Sequence, residues 1–117
     1  MVQNLRLIKR PRVNVWTQND KKWSEAALGQ DKKGNVLFIF SRSPYTMHDF
    51  NEILLQLPIE IECAQHLEGG PPASFYLSTK GITIGKVGSY ETKFFEDDDN
   101  KASWPLPNVI GLTRKKR

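Results

Sequence analysis

The chain has 117 residues, with a hydrophobic fraction of 38%, a charged fraction of 26% and a formal net charge of +4. This length fits one domain with a modest core, and no apolar run reaches the ~20 residues that span a bilayer. Residues 1–33 hold eight Lys/Arg against three acidic residues, a mixture that is more typical of a solvated surface than of a nucleic-acid patch.

The first half of the chain predicts three strands. Residues 12–16 alternate apolar and polar side chains, and residues 26–29 form a second short strand. Residues 31–35 predict a tight reversal, in which Gly34 is free to adopt a positive φ. Residues 36–40 form a continuous apolar run, which predicts a central strand buried on both faces.

A helix is predicted after this strand. Thr46 can cap its start, and Asp49 follows three residues later, where a capping box usually has Glu or Gln. Pro58 cannot continue the helix and marks its end. The residues at helical spacing that form one apolar face are Met47, Phe50, Ile53, Leu54 and Leu57.

The second half predicts four extended segments around a polar excursion at residues 86–103. They are residues 59–67, 74–78, 82–84 and 108–112. A helix between two apolar strands is typical of a crossover between parallel strands, which would put Glu68 at the carboxyl edge of a sheet. The whole pattern predicts one α+β domain over residues 1–117, with a mixed β-sheet, one main helix and a basic tail at 113–117.

The Glu68-Gly69-Gly70 turn is the first candidate site. A carboxylate that is partly desolvated at a strand end has a raised pKa, which suits general acid catalysis. Two glycines allow a ligand to approach the backbone closely. The alternative is a solvated carboxylate beside an ordinary turn, since glycine pairs are common turn signals.

Two further side chains are candidate ligand contacts. Arg42 follows the apolar strand and can bind a pair of phosphate oxygens, or it can pair with a neighbouring helix residue. Asn108 follows two prolines and can orient a ligand hydroxyl or a carboxylate, or it can bond its own turn. The spacing of His48 and His66 predicts no metal site, and the absence of phosphate-binding glycine loops disfavours nucleotide hydrolysis. No cofactor is predicted.

The chain resembles the phosphodiester glycosidase family over about residues 3–112. The resemblance rests on a glycine turn and strand at 34–40, the helix at 46–57, and the motifs Leu67-Glu68-Gly69-Gly70 with Ala73-Ser74 and Pro105-Leu106-Pro107-Asn108. Many members have Asp where this chain has Glu68, and members usually have an arginine where Ser24 and Glu25 stand. Family domains are usually longer, so the resemblance implies the C-terminal portion of a domain.

The resemblance implies hydrolysis of a sugar 1-phosphodiester, or a related glycosidic bond in a glycan such as an exopolysaccharide. It implies a catalytic role for Glu68 and substrate contacts from Arg42, Gly69, Gly70, Ser74 and Asn108. The expected partner is a glycan or sugar phosphate, without a membrane span. Members are usually exported, whereas the first nine residues lack the apolar core of a signal peptide, so the compartment and the oligomeric state stay open.

Two alternatives compete with hydrolysis. The chain can be a non-catalytic remnant of the fold that binds glycans, an interpretation that fits the stiff Pro71-Pro72 turn. A basic nucleic-acid-binding module is the third hypothesis. It is disfavoured because aromatic residues do not alternate with the basic ones.

Overall fold

The computed structural model describes residues 5–106 and 109–114. A five-stranded sheet has the order β2-β1-β5-β3-β4, and β6 and β7 form a separate two-stranded ribbon. The elements are β1 (Arg6–Lys9), β2 (Val13–Asn14), β3 (Trp23–Asp31), β4 (Val36–Tyr45), α1 (Met47–Gln56), β5 (Ile61–Gly69), β6 (Ser74–Thr79) and β7 (Ile82–Val87).

The α+β class is confirmed, but the mixed sheet is wrong, because every strand pairing in the described residues is antiparallel. Strands β4 and β5 are linked through α1, as predicted, and they run in the same direction. They do not pair with each other, since β3 lies between them and pairs with both. The predicted crossover between adjacent parallel strands is therefore wrong.

Strand β4 lies at the edge of the sheet rather than at its centre. Leu37 and Ile39 pack against the core, whereas Val36 is 59% exposed and Phe38 is 41% exposed. Alternate residues of a strand face opposite sides of the sheet, and the core covers one side. The prediction that residues 36–40 are buried on both faces is therefore wrong.

Helix α1 confirms the predicted capping. Thr46 has extended backbone angles, and its side chain accepts a hydrogen bond from the Asp49 amide at 3.2 Å. The helix ends before Pro58, and at ten residues it is too short to cross a membrane; the described residues include no helix that could. Three of the five predicted apolar positions are buried, and Ile53 and Leu57 stay exposed.

The core lies between α1 and the sheet. Its buried members are Leu7, Ile8, Ala27, Met47, Phe50, Leu54, Ile61 and Ala64. Strand β1, which the sequence pattern did not predict, supplies two of them. The predicted strand over residues 12–16 shortens to Val13–Asn14. Residues 109–112 form no strand, which makes that part of the final prediction wrong, and Asn108 lies outside the described residues.

Candidate functional site

The site forms where the start of β3 meets the end of β5. Across this pair Glu25 is the partner of Gly69, Ala26 of Glu68 and Ala27 of His66. The register shifts between Ala26 and Ala27, because β5 has one extra residue there. Such a bulge re-aims side chains, and bulges are common beside active sites. The bulge brings His66 and Glu68 of β5 to the Trp23 end of β3.

Glu25 is a fully buried carboxylate in contact with an imidazole. Nδ1 of His66 lies 2.8 Å from Oε1 and 2.9 Å from Oε2 of Glu25, and Nε1 of Trp23 donates to Oε2 at 2.9 Å. Oε1 meets the imidazole but accepts no well-aligned hydrogen bond from the described residues. The Glu25 carboxylate is itself held by Trp23, and its contact with Nδ1 therefore keeps the His66 ring in one orientation.

The pair formed by Glu25 and His66 holds a proton more tightly than either side chain does alone. Burial raises the pKa of Glu25, against the opposing effects of His66 and Trp23. Burial lowers the pKa of His66, but the hydrogen bond and charge of Glu25 outweigh it, so the pKa of His66 is raised. The charges of Glu68 and Glu91 raise the pKa of His66 further. These shifts favour a proton held on the Glu25–His66 pair, with the carboxyl groups of Glu68 and Glu91 nearby.

Residues 88–92 bring Glu91 into this cluster. The amide of Ser24 donates to the Tyr90 carbonyl at 3.0 Å, and the amide of Thr92 donates to the Lys22 carbonyl at 3.0 Å. This ladder fixes Glu91 opposite Trp23. Burial, followed by the charge of Glu68, raises the pKa of the Glu91 carboxyl.

The two glycines of the turn make room for these groups. A Cβ at Gly69 would lie 2.5 Å from Cδ1 of Trp23. Gly70 has a φ of +73°, and a Cβ there would collide with Oε2 of Glu91. The lack of side chains at these positions therefore admits Trp23 and Glu91, and ligand approach to the same backbone stays a proposal.

Glu68 is exposed at the end of β5, so the predicted partial desolvation of its carboxylate is wrong. Its Oε1 accepts a hydrogen bond from the amide of Gly69 at 3.1 Å. It lies close enough to His66 and Glu91 to influence the pKa of both. The carboxylate is thus open to solvent, next to a cation and a second carboxyl group.

The guanidinium of Arg42 contacts none of Glu25, His66, Glu68 and Glu91. Nη1 donates to the Val87 carbonyl at 2.7 Å, and Nη2 donates to the Asn100 carbonyl at 2.8 Å and to the Asp98 carbonyl at 3.2 Å. The Asp98 carboxylate lies 3.6 Å from Nη2. These contacts hold residues 87–100 against β4, and phosphate binding by Arg42 would have to displace some of them.

The remaining predicted site residues are Ser74 and Asn108. Oγ of Ser74 donates to the Pro72 carbonyl at 3.2 Å, within the turn closed by the bond from the Ala73 amide to the Gly70 carbonyl at 3.0 Å. Asn108 lies outside the described residues. Over the described ranges, no three His, Cys, Asp or Glu side chains are grouped closely enough to hold a metal ion.

Sequence reasoning missed Glu25, His66 as a partner of a carboxylate, and Glu91. Glu25 stood out only as a departure from the family pattern, and His66 was considered only as a metal ligand. One signal was available, because Glu25 directly precedes the predicted apolar strand at residues 26–29, and a carboxylate that is buried there needs a partner. Nothing local in the sequence identifies that partner 41 residues away.

A family model described as phosphodiester glycosidase matches residues 1–113. No curated protein and no solved structure matches the chain.

Proposed function

This chain belongs to the phosphodiester glycosidase family, and from that membership we propose that it hydrolyses a sugar 1-phosphodiester or a related glycosidic bond in a glycan. The observation that carries the proposal is the cluster of Glu25, His66, Glu68 and Glu91 at the β3–β5 end. Glycoside hydrolysis ordinarily uses two carboxyl groups and an oxocarbenium-like transition state. Glu68 and Glu91 supply such a pair.

The carboxyl groups of Glu91 and Glu68 differ in burial, which suits one of them to act as an acid and the other as a base. Burial and the charge of Glu68 raise the pKa of Glu91, which favours its protonated form as the proton donor. Glu68 is exposed and reachable by water. In the proposed step the bond from the anomeric carbon to the phosphate oxygen breaks and Glu91 protonates that oxygen. Water adds to the carbon and gives its proton to Glu68.

His66 is proposed as the group that faces the departing phosphate. Its Nδ1 is engaged by Glu25, which leaves Nε2 for a ligand. The raised pKa of His66 favours an imidazolium, which stabilises negative charge on the phosphate. Glu25 acts through His66 and is therefore a positioning residue.

The other predicted contacts stay part of the proposal. Gly69, Gly70 and Ser74 line the turn beside Glu68, and Asn108 is proposed to orient the substrate. Arg42 is proposed as a second phosphate contact, on the condition that the Asp98 and Asn100 carbonyls give way.

The test is turnover of a sugar 1-phosphodiester analogue, followed through release of the phosphomonoester. We expect Glu68→Gln and Glu91→Gln each to lower kcat by about 10²- to 10⁴-fold, the usual contribution of a positioned acid or base. Glu60→Gln, an exposed carboxylate at the turn before β5, is the control and should keep wild-type turnover. Equal turnover in wild type and Glu68→Gln would contradict the catalytic role.

A non-catalytic glycan-binding remnant is the second candidate. It is favoured by the contacts of Arg42, whose Nη donors are already engaged by backbone carbonyls. It predicts that the chain binds the phosphodiester analogue and releases no product. Any hydrolysis that is lost in Glu68→Gln ends this alternative.

A further inference from the structure

A basic groove lies on the sheet, beside the cluster already described. It has a volume of about 480 Å³, within the range of small-ligand sites. Strands β1, β3 and β5 form it together with Arg10, just after β1, and Val36, the first residue of β4. Its cations are Arg6, Lys9 and Arg10, and its polar uncharged side chains include Gln30 and Gln65.

The cations of this groove have no carboxylate partner among the residues that the structure describes. No Asp or Glu lines it, and the ion pairs among the described residues involve none of its three cations. Arg10 donates a hydrogen bond to Oε1 of Gln30, a neutral acceptor that leaves its charge uncompensated. Like charges in a concave surface focus the potential and attract anions.

The sheet register places Glu68 next to the groove. Leu28, in the groove, is the cross-strand partner of Gln65, and Ala26 is the partner of Glu68. Residues two apart on a strand share one face and lie about 6.5 Å from each other. The groove and the exposed Glu68 carboxylate are therefore neighbours on one side of β3.

We propose that this groove binds an anionic group of the glycan at a distance from the reacting bond. The substrate is then a polyanionic glycan, whose acidic substituents (phosphate, sulfate or carboxylate) recur along the chain, rather than a compound with a single phosphodiester. This assignment rests on the proposed hydrolytic function for the identity of the neighbouring site. Arg6, Lys9 and Arg10 supply the charge, and Gln65 supplies an amide for a sugar hydroxyl. The amide of Gln30 already bonds Arg10 and the Gly34 carbonyl.

The lining favours a glycan over a nucleic acid. Single-stranded nucleic acids are bound by aromatic side chains that stack on the bases, together with a basic groove. The apolar lining here consists of aliphatic residues, among them Ile8, Leu28 and Val36, and contains no aromatic residue. A sugar chain with acidic substituents needs the cations and the amides but no stacking surface.

The experiment measures binding separately from turnover. The probes are a sulfated oligosaccharide, a phosphorylated one, the neutral oligosaccharide of the same length, and a single-stranded oligonucleotide. Binding is titrated in a Glu68→Gln background, so that no probe is consumed. The groove variant is Arg6→Gln/Lys9→Gln/Arg10→Gln, and the matched control removes three exposed cations elsewhere, as Lys21→Gln/Lys80→Gln/Lys101→Gln.

Both acidic oligosaccharides should bind and the neutral one should not. The groove variant should lose at least about tenfold in affinity, the value of one charge-assisted contact, and the control less than twofold. Thermal unfolding of both variants verifies that they fold. Equal losses in both would mean that net charge alone attracts the probe, and this overturns the proposal. Equal or tighter binding of the oligonucleotide, lost in the groove variant, overturns it in favour of a nucleic-acid site.

Turnover separates this inference from the proposed function. If wild type hydrolyses a small single-phosphodiester analogue, the groove variant should hydrolyse it equally well and lose only its preference for the longer acidic chain. A chain that hydrolyses nothing, yet binds the acidic oligosaccharides through the groove, removes the hydrolytic function and leaves the binding site in place. Hydrolysis without groove-dependent binding removes the binding site and leaves the hydrolytic function in place.

Discussion

At the Trp23 end of β3, Glu25 is buried and bonded to His66, whereas at the Gln30 end the cations of the groove are exposed and form no ion pair with a carboxylate of the described residues. Glu25 is completely buried and touches two nitrogen donors, while Lys9 and Arg10 remain in solvent. Ordered charges suit chemistry, because their geometry is fixed before a substrate arrives. Exposed charges of one sign suit capture of an anion, because a concave surface focuses their electrostatic potential.

The largest effect on stability is expected from disruption of the loop at residues 88–92, which packs against the Trp23 end of β3. A Cβ at Gly88 would collide with the Gly70 carbonyl, a backbone atom that cannot move away cheaply. We expect Gly88→Ala to lower the free energy of unfolding by about 3 kcal/mol or more. Urea denaturation measures the loss. The control is Gly85→Ala, whose Cβ meets only Tyr76, at 3.9 Å.

If the loop around Gly88 is mobile rather than packed, both glycine variants will unfold at the same urea concentration. That outcome would also remove Glu91 from the site, since the same loop carries it.

The next largest effect is expected when the buried carboxylate of Glu25 is removed. Glu25→Ala leaves Nδ1 of His66 and Nε1 of Trp23 without their partner, and each orphaned group costs about 1–3 kcal/mol. We expect a loss of about 2–4 kcal/mol in the free energy of unfolding. At the groove end, Gln30→Ala on the same strand should change it by about 0.5 kcal/mol or less. Equal losses would contradict the contrast between the two ends.

The pH dependence of stability sharpens the same contrast. The folded-state pKa of His66 is raised above its ordinary value of 6.5 by Glu25, so its contribution is complete below that pH and is lost as pH rises through the folded pKa. The raised pKa of Glu25 acts in the same direction above 4.5. Wild-type stability should therefore fall as the pH rises above 6.5, the ordinary pKa of histidine.

The variant Glu25→Gln should flatten this part of the pH profile, because the imidazole then has no carboxylate partner. Urea midpoints at several pH values make the comparison. A wild-type profile parallel to that of Glu25→Gln would show that the pair does not bind an additional proton in the folded state.

The smallest effect on stability is expected from substitutions in the basic groove. Three exposed cations contribute little to folding, and their mutual repulsion slightly opposes it. The variant Arg6→Gln/Lys9→Gln/Arg10→Gln should therefore melt within about 3 °C of wild type, or slightly higher. Thermal melts at low and high salt measure this. A large drop in melting temperature would mean that the groove cations hold the fold together.

Local rules predicted several elements correctly. The cap of Thr46, the end of α1 before Pro58 and the positive φ of Gly34 each depend on a few adjacent residues. The α+β class followed from the same elements. The edge position of β4 could not be predicted, because a continuous apolar run is compatible with either place in a sheet. Which strand pairs on each side depends on contacts between distant segments.

The sequence by itself determined the helix, most of the strands and the Glu68-Gly69-Gly70 turn, since backbone propensities and the lack of a Cβ act within a few residues. Only the tertiary structure decided what surrounds that turn. Glu25 and His66 meet through the β3–β5 register, and Glu91 arrives from a loop after β7. A buried carboxylate and an imidazole require each other physically, but their sequence separation hides the pair until the sheet forms.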